Sequence, residues 1–256
     1  MKPRVLRHYT ITSEKISHPL NLAVLTDLHN APFEDVLPAL QGVDAILLVG
    51  DLLNRHHRGT AYAEAFLSVM PSIAPTFFSK GNHEWKSQDW PAFRPLLKKS
   101  HVTLLDNRYI RFHGIVLGGL SSAPQEEIRT GWLETMAQER GFRLLMCHQP
   151  EWYDRYVKRY APDLTLSGHA HGGQICFRQQ GIYAPGQGLF PRLTHGLYDG
   201  GHLLVSSGMT NSSHMPRWGN PCEIIMLHLE KGKEPFHAQA ADELSDEKRQ
   251  VPCPMM

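Results

Sequence analysis

Leu22-Ala23-Val24-Leu25-Thr26-Asp27-Leu28-His29 is an apolar run of strand length that stops on a carboxylate, with a histidine two residues on. The pattern recurs along the chain. Ala45-Ile46-Leu47-Leu48-Val49-Gly50 runs into Asp51, and Thr76-Phe77-Phe78-Ser79-Lys80-Gly81 runs into Asn82-His83. Leu144-Leu145-Met146-Cys147 runs into His148, and Leu164-Thr165-Leu166-Ser167-Gly168 runs into His169. Run length and β-branched or aromatic content favour buried strands over helix segments. Between the runs the sequence predicts helices over 61–70, 91–99, 130–140 and 151–159. Strands alternating with helices indicate an α/β fold with a largely parallel sheet. After residue 171 Gly, Pro and short strand-like runs dominate, at 174–177, 202–206 and 223–229. These predict antiparallel strands in a second sheet packed on the first. One catalytic domain is expected over 1–230, followed by a polar, mobile tail over 231–256.

The bulk properties narrow the field. The 256 residues suit one large domain with a sizeable core, and 41% hydrophobic with 20% charged residues is ordinary for a globular chain. A formal charge of +1 gives no electrostatic case for nucleic-acid binding. Cys147, Cys176, Cys222 and Cys253 lie far apart without a C-x-x-C pair, so neither a zinc ribbon nor a disulfide framework is indicated. No apolar run reaches the length of a spanning helix and no secretory signal opens the chain, so the expectation is a cytoplasmic protein. Sixteen histidines stand out, because histidine is the commonest metal ligand.

In open α/β sheets, ligands bind at the carboxyl ends of the strands, where these polar residues fall. Asp27 and His29, like His169 and His171, are two apart and point the same way on an extended chain. Two cations held by Asp, Asn and His at such an edge could clamp a phosphoryl group and ionise a water. Each residue also has a plainer reading: Asp27 and Asp51 as helix N-caps, His148 as a hydrogen-bonded strand terminus, the glycines as turn formers. Capping does not explain why both halves of the chain bring His and Asp to one edge.

Asp27-Leu28-His29, Gly50-Asp51, Gly81-Asn82-His83-Glu84, His148 and Gly168-His169-Ala170-His171 resemble, in order, the five motifs of the calcineurin-like metallophosphoesterases. Gly168 to Gln174, Gly196-Leu197-Tyr198, Ser206-Ser207-Gly208 and Trp218 to Ile225 are similar to the branch of small bacterial phosphodiesterases typified by YaeI and YkuE. The resemblance implies an α/β/β/α sandwich of two mixed sheets flanked by helices. It implies two divalent metal ions, manganese first and iron or zinc as alternatives. Asp27, His29 and His171 would hold one; Asn82, His148 and His169 the other. Asp51 would bridge them at about 3.5–4 Å. A bridging hydroxide would attack phosphorus, and His83 would touch the phosphoryl oxygen and protonate the leaving oxygen. The substrate would be a small phosphorylated, nucleotide-linked or lipid-linked compound. The alternatives are a UDP-diacylglucosamine-type pyrophosphatase, with peripheral membrane contact, and a non-catalytic protein-binding scaffold. Retention of His83 and all seven ligands argues against the scaffold.

Where Ser/Thr phosphatases carry a second Asp that orients the histidine, this chain has Asn54, expected to accept from His83. Arg55 and, near the branch-specific loop, His195 are the expected substrate contacts; His56 and His57 are equally readable as a solvated loop. Glu84 reads as a brace behind a ligand or as a helix cap. Trp85, Trp90 and Trp218 read as packing residues, and 182–198, with Leu189, Phe190 and Leu197, as either an apolar patch or core.

Overall fold

The computed structural model describes residues 2–177, 180–211, 217–233, 236–241 and 250–253. The first sheet uses strands β1 (Lys2–Ser13), β2 (Leu20–Leu25), β3 (Ala45–Val49), β4 (Thr76–Ser79) and β5 (Thr103–Leu104). The second uses β6 (Arg108–Phe112), β7 (Ile115–Leu120), β8 (Phe142–Cys147) and β9 (Leu164–Ser167). Two small hairpins follow: β10 (Cys176–Phe177) with β11 (Gln180–Gly181), and β12 (Tyr183–Ala184) with β13 (Gly188–Leu189). Then β14 (Gly196–Tyr198) and β15 (Leu203–Val205) complete the second sheet, while β16 (Glu223–Lys231), β17 (His237–Ala240) and β18 (Gln250–Cys253) return to the first. The strand order is β17-β1-β16-β2-β3-β4-β5, with β18 on β1, in one sheet and β14-β15-β9-β8-β7-β6 in the other. Strands β2 to β5 are parallel, as are β7, β8, β9 and β15.

Side-chain alternation sets the layers. Leu22 and Val24, with Ala45, Leu47 and Val49, face the second sheet and pack with Leu117, Leu144, Met146 and Leu166. Their sequence neighbours Ala23, Leu25, Ile46 and Leu48 face outward, onto helices α1 (Ala61–Ile73) and α3 (Trp90–Lys99). The short helix α2 (Asn82–Lys86) lies between these two in sequence. On the far side Val116, Leu145 and Val205 pack with Leu133 and Met136 of α4 (Trp132–Ala137). A strand buried on both faces reads as a continuous apolar run, which is what its sequence shows. The result is an α/β/β/α sandwich.

Several expectations need correction. The second sheet is not the C-terminal half: it starts at β6, and β16 crosses back to pair antiparallel with β2 and parallel with β1. The predicted helix over 151–159 is instead a π-helical turn, Tyr153–Val157, followed by a 3₁₀ turn. The segment after 230 is not simply a tail, since β17 and β18 both pair antiparallel with β1; residues 234–235, 242–249 and 254–256 lie outside the described ones. Cys147 and Cys176 are buried, but Cys222 is disulfide-bonded, although cysteine spacing indicated no disulfide framework. No described helix is long and apolar enough to cross a membrane.

Candidate metal centre

Strands β2, β3 and β4 of one sheet and β8 and β9 of the other end at the same edge, and each hands its polar residue to the turn that follows. Asp27, His29, Asp51, His169 and His171 all adopt left-handed backbone, with φ between 46° and 65°. That conformation costs a non-glycine residue about 1–3 kcal/mol and persists only where its surroundings enforce it. Here neighbouring turns enforce it on each other. Asp27 N–H donates to Gly50 O at 3.1 Å, His29 N–H to Asp51 O at 2.9 Å, and Gly168 N–H to His148 O at 2.9 Å. Close approach also requires glycine at residue 81, where a Cβ would stand 2.1 Å from Asp51 Oδ1.

The turns bring the side chains into overlapping groups. Asp27, His29 and His171 have ligand atoms within 4.8 Å of one another, as do Asp51, His148 and His169, and also His29, Asp51 and His83. Each carboxylate has one oxygen fixed by backbone: Asp27 Oδ2 accepts from His169 N–H at 3.2 Å, and Asp51 Oδ1 from His83 N–H at 2.8 Å. The remaining atoms Asp27 Oδ1, Asp51 Oδ2, His29 Nε2, His148 Nε2 and Asn82 Oδ1 are buried without a hydrogen-bond partner. Asp51 Oδ2 lies 3.1 Å from His148 Nε2, 3.8 Å from His83 Nε2 and 3.9 Å from His29 Nε2, at the junction of the groups. Unpartnered buried polar atoms are costly unless something else satisfies them. A converging set of oxygen and imidazole donors fits divalent cations.

The charges follow from this crowding. Burial would raise the carboxyl of Asp27, but His171 and His148 beside it hold it well below the usual carboxylate range. Burial likewise disfavours imidazolium at His148, yet Asp51 and Asp27 outweigh it and push that ring up to about 10. Burial dominates at His83, which is held down to about 3 despite Asp51.

Glu84 fulfils both of its readings. Fully buried, it accepts from Gly81 N–H at 2.7 Å at the start of α2, and from Asp51 and Leu53 N–H at 2.9 Å each. Burial and Asp51 push its carboxyl up to about 7.

Residue 54 departs from expectation. His83 Nδ1 accepts from the backbone N–H of Arg55 at 3.1 Å, while Asn54 Oδ1 accepts from His56 N–H at 2.9 Å. Asn54 folds onto its own loop because its short amide reaches the amide two residues on. Arg55, His56, His57 and Arg58 line a cavity of about 270 Å³, and the His56 ring lies 5.5 Å from that of His83. His195 is half-buried, and its partners are Thr194, just before β14, and Tyr198, at the end of β14, rather than any residue of the cluster.

Sequence reasoning missed Thr210, Arg217 and Asn220. Thr210 Oγ donates to Asp27 O at 2.8 Å; Arg217 Nη2 meets His171 Nδ1 at 2.8 Å; Asn220 Nδ2 donates to His171 O at 2.5 Å. Trp218, read as packing, is 59% exposed, and Leu189 and Phe190 are each 71% exposed. Leu197 packs on the inter-sheet core.

Comparison with known proteins agrees with this geometry. An uncharacterised metallophosphoesterase of Campylobacter jejuni is 29% identical over 255 residues, covering 91% of this chain and 65% of the relative. One of Helicobacter pylori is 26% identical, covering 89% and 64%. This chain thus spans slightly less than two thirds of the length of these relatives. Phosphodiesterase YaeI of Escherichia coli is 28% identical over 191 residues, 67% of each chain. Residues 20–173, which carry every turn of the cluster, match the calcineurin-like phosphoesterase family. With that match over more than half its length, and His and Asp groups positioned for metal, the chain belongs to the calcineurin-like metallophosphoesterases.

Proposed function

We propose that this protein is a phosphodiesterase that works with two divalent cations, manganese first among them. The observation that carries this is the set of buried, unpartnered atoms Asp27 Oδ1, His29 Nε2, Asp51 Oδ2, Asn82 Oδ1 and His148 Nε2 converging on one edge. Asp27, His29 and His171 would hold one cation and Asn82, His148 and His169 the other, with Asp51 serving both. When bound, the cations supply Lewis acidity toward the phosphoryl oxygens and ionise a water for attack.

His83 works beside them as a neutral donor. A backbone N–H occupies its Nδ1, so its proton sits on Nε2, on the Asp51 side. That N–H can donate to a phosphoryl oxygen as charge builds there. Imidazolium would leave Arg55 N–H facing a second donor, so protonation of the leaving group is not its main task. Arg55, which lines the cavity beside His83, binds the anionic part of the substrate. His195 is a weaker candidate for a substrate contact, since its partners lie beside it in the chain.

A second reading has one observation in its favour. Phe177, Ile182, Tyr183, Leu189, Phe190 and Trp218 are six of the seven exposed large hydrophobics among the described residues. They sit on β10 to β13 and on the segment bridged to Ile175, packed against the His171 turn. Such a rim suits a substrate with acyl chains, as in a UDP-diacylglucosamine-type pyrophosphatase.

Four outcomes follow from these assignments. Chelation abolishes hydrolysis of bis(p-nitrophenyl) phosphate and manganese restores it; full activity with a demonstrably empty site refutes the reading. Metal uptake at pH 7.5 releases a proton, because His148, protonated below about 10, must surrender it to ligate. Affinity therefore weakens as pH falls, and calorimetry in buffers of different ionisation enthalpy reads the released proton directly. His83→Ala keeps its metal but slows turnover about 10²–10³-fold, equally for nitrophenolate and alkoxide leaving groups; a selective loss for alkoxide restores the acid role. For the second reading, Leu189→Ser with Phe190→Ser raises KM for an acylated nucleotide diphosphate sugar and leaves bis(p-nitrophenyl) phosphate unaffected. An unchanged KM removes it.

A further inference from the structure

Three of the four proposed ligand histidines present Nε2 to the two carboxylates, and the group behind each ring decides whether that atom has a lone pair to offer. Behind His148 is Val49 O, 2.7 Å from Nδ1; behind His29 is Leu53 O, at 3.3 Å. A carbonyl can only accept, so in these rings Nδ1 keeps a proton while Nε2 offers its lone pair, at His148 once the extra proton held by Asp51 and Asp27 has left. Behind His171 the polarity is reversed. Arg217 Nη2 lies 2.8 Å from His171 Nδ1 and donates to Thr210 O at 2.6 Å, one hydrogen for each. A guanidinium has donors and no acceptor. His171 Nδ1 must therefore accept, and the proton of the neutral ring sits on Nε2, 3.7 Å from Asp27 Oδ1.

Arg217 is held in this place. It is 7% exposed, and its Nη1 reaches Pro221 O at 3.4 Å. Trp218, next in sequence, bridges to Ile175, and Asn220 clamps His171 from its carbonyl side at 2.5 Å. The buried charge is balanced by Asp27 and Glu223, and Glu223 is itself fixed by Arg7 at 3.1 Å and Ser207 N–H at 2.8 Å. For His171 to ligate through Nε2 as a neutral ring, its proton must move to Nδ1 and the Arg217 contact must be given up. His29 needs no such exchange, and His148 has only to release its extra proton, keeping its Val49 O contact.

We propose that Arg217 is a positioning residue of the metal centre: it keeps the His171 proton on Nε2, and so weakens the Asp27–His29–His171 site for a divalent cation. This rests on the reading of the two groups as cation sites. The test is to strip the full-length chain with chelator and titrate it with zinc by calorimetry. Long-range ¹H–¹⁵N spectra report the tautomer of His171, identified by the signals missing in His171→Gln. The wild type should show Nε2–H at His171 before metal and bind zinc in two resolved steps. In Arg217→Gln the amide oxygen can accept from Nδ1–H, and one of the two steps should tighten about tenfold, the lower end for changes behind a ligating histidine. Arg217→Lys keeps a cationic donor and should keep the wild-type separation. A strut with no say in the proton would behave oppositely, its loss weakening the site. An Nδ1–H tautomer in the wild type, or no tightening of either step in Arg217→Gln, overturns the inference while two bound zinc ions leave the metal centre standing. If the glutamine variant does not fold, the wild-type tautomer decides alone. Zinc that does not bind at all overturns the metal centre and this inference together.

Discussion

Two carboxylates, Asp27 and Asp51, are buried with one oxygen each tied to backbone and the other bare. An ionised carboxylate taken out of water must find positive charge, or its cost unfolds the region. Among the described residues, side chains supply none at the bare oxygens except imidazole. The proton drawn onto His148 by the pair is the interior's own partial remedy. A divalent cation is a better one, since it brings more charge and satisfies the neighbouring Nε2 atoms at once. The backbone strain at five turn residues makes sense on this basis: cation binding offsets a cost that the turns alone would not justify.

Holding that geometry is the task of the inter-sheet core. Asp27, Asp51 and Asn82 come from one sheet; His148, His169 and His171 come from the other. Sliding the sheets by even an ångström would pull the two halves of the cluster apart. The interdigitated layer of Leu22, Val24 and Leu47 against Leu117, Leu144 and Leu166 resists this because close-packed interiors shift in discrete steps rather than continuously. Two polar ties at the edge also cross between the sheets: His148 Nδ1 to Val49 O at 2.7 Å, and His169 N–H to Asp27 Oδ2 at 3.2 Å. The proposed metal ligand and the sheet fastener are therefore the same side chain, so changes at His148 should be felt in both.

The central strands were legible because burial on both faces leaves a continuous apolar run that no half-exposed strand imitates. The outer elements were not. Strand β1 carries Arg7 and His8 among its apolar residues, and its partners lie more than two hundred residues away. The β6–β7 hairpin turns on His113-Gly114, both with positive φ, a two-residue signal of known meaning that was there to be used. The helix over 151–159 failed for a different reason. Trp152, Tyr153 and Val157 have helical spacing, but each is buried in the outer core of the second sheet, and packing chose a wider turn.

A similar divide runs through the site. Atoms that face the cations need particular side chains at fixed points on strand ends, so Asp27-x-His29 and His169-x-His171 announce themselves. The layer behind them needs only a donor or an acceptor in the right direction, and many groups can provide one. Backbone carbonyls serve His29 and His148, a backbone amide serves His83, and a glutamate serves the Asp51 turn. None of these leaves a spacing rule. Arg217 is the exception that could have been noticed, because a full positive charge has no cheap reason to be buried. Its sequence shows only an arginine between a proline and a tryptophan; its meaning lies in what it faces. Asn54 makes the same point from the other side: it occupies the motif position of an orienting carboxylate, yet it turns to its own loop and leaves His83 to the amide of Arg55. A motif position fixes where a residue begins, and the polarity of its neighbours fixes what it does.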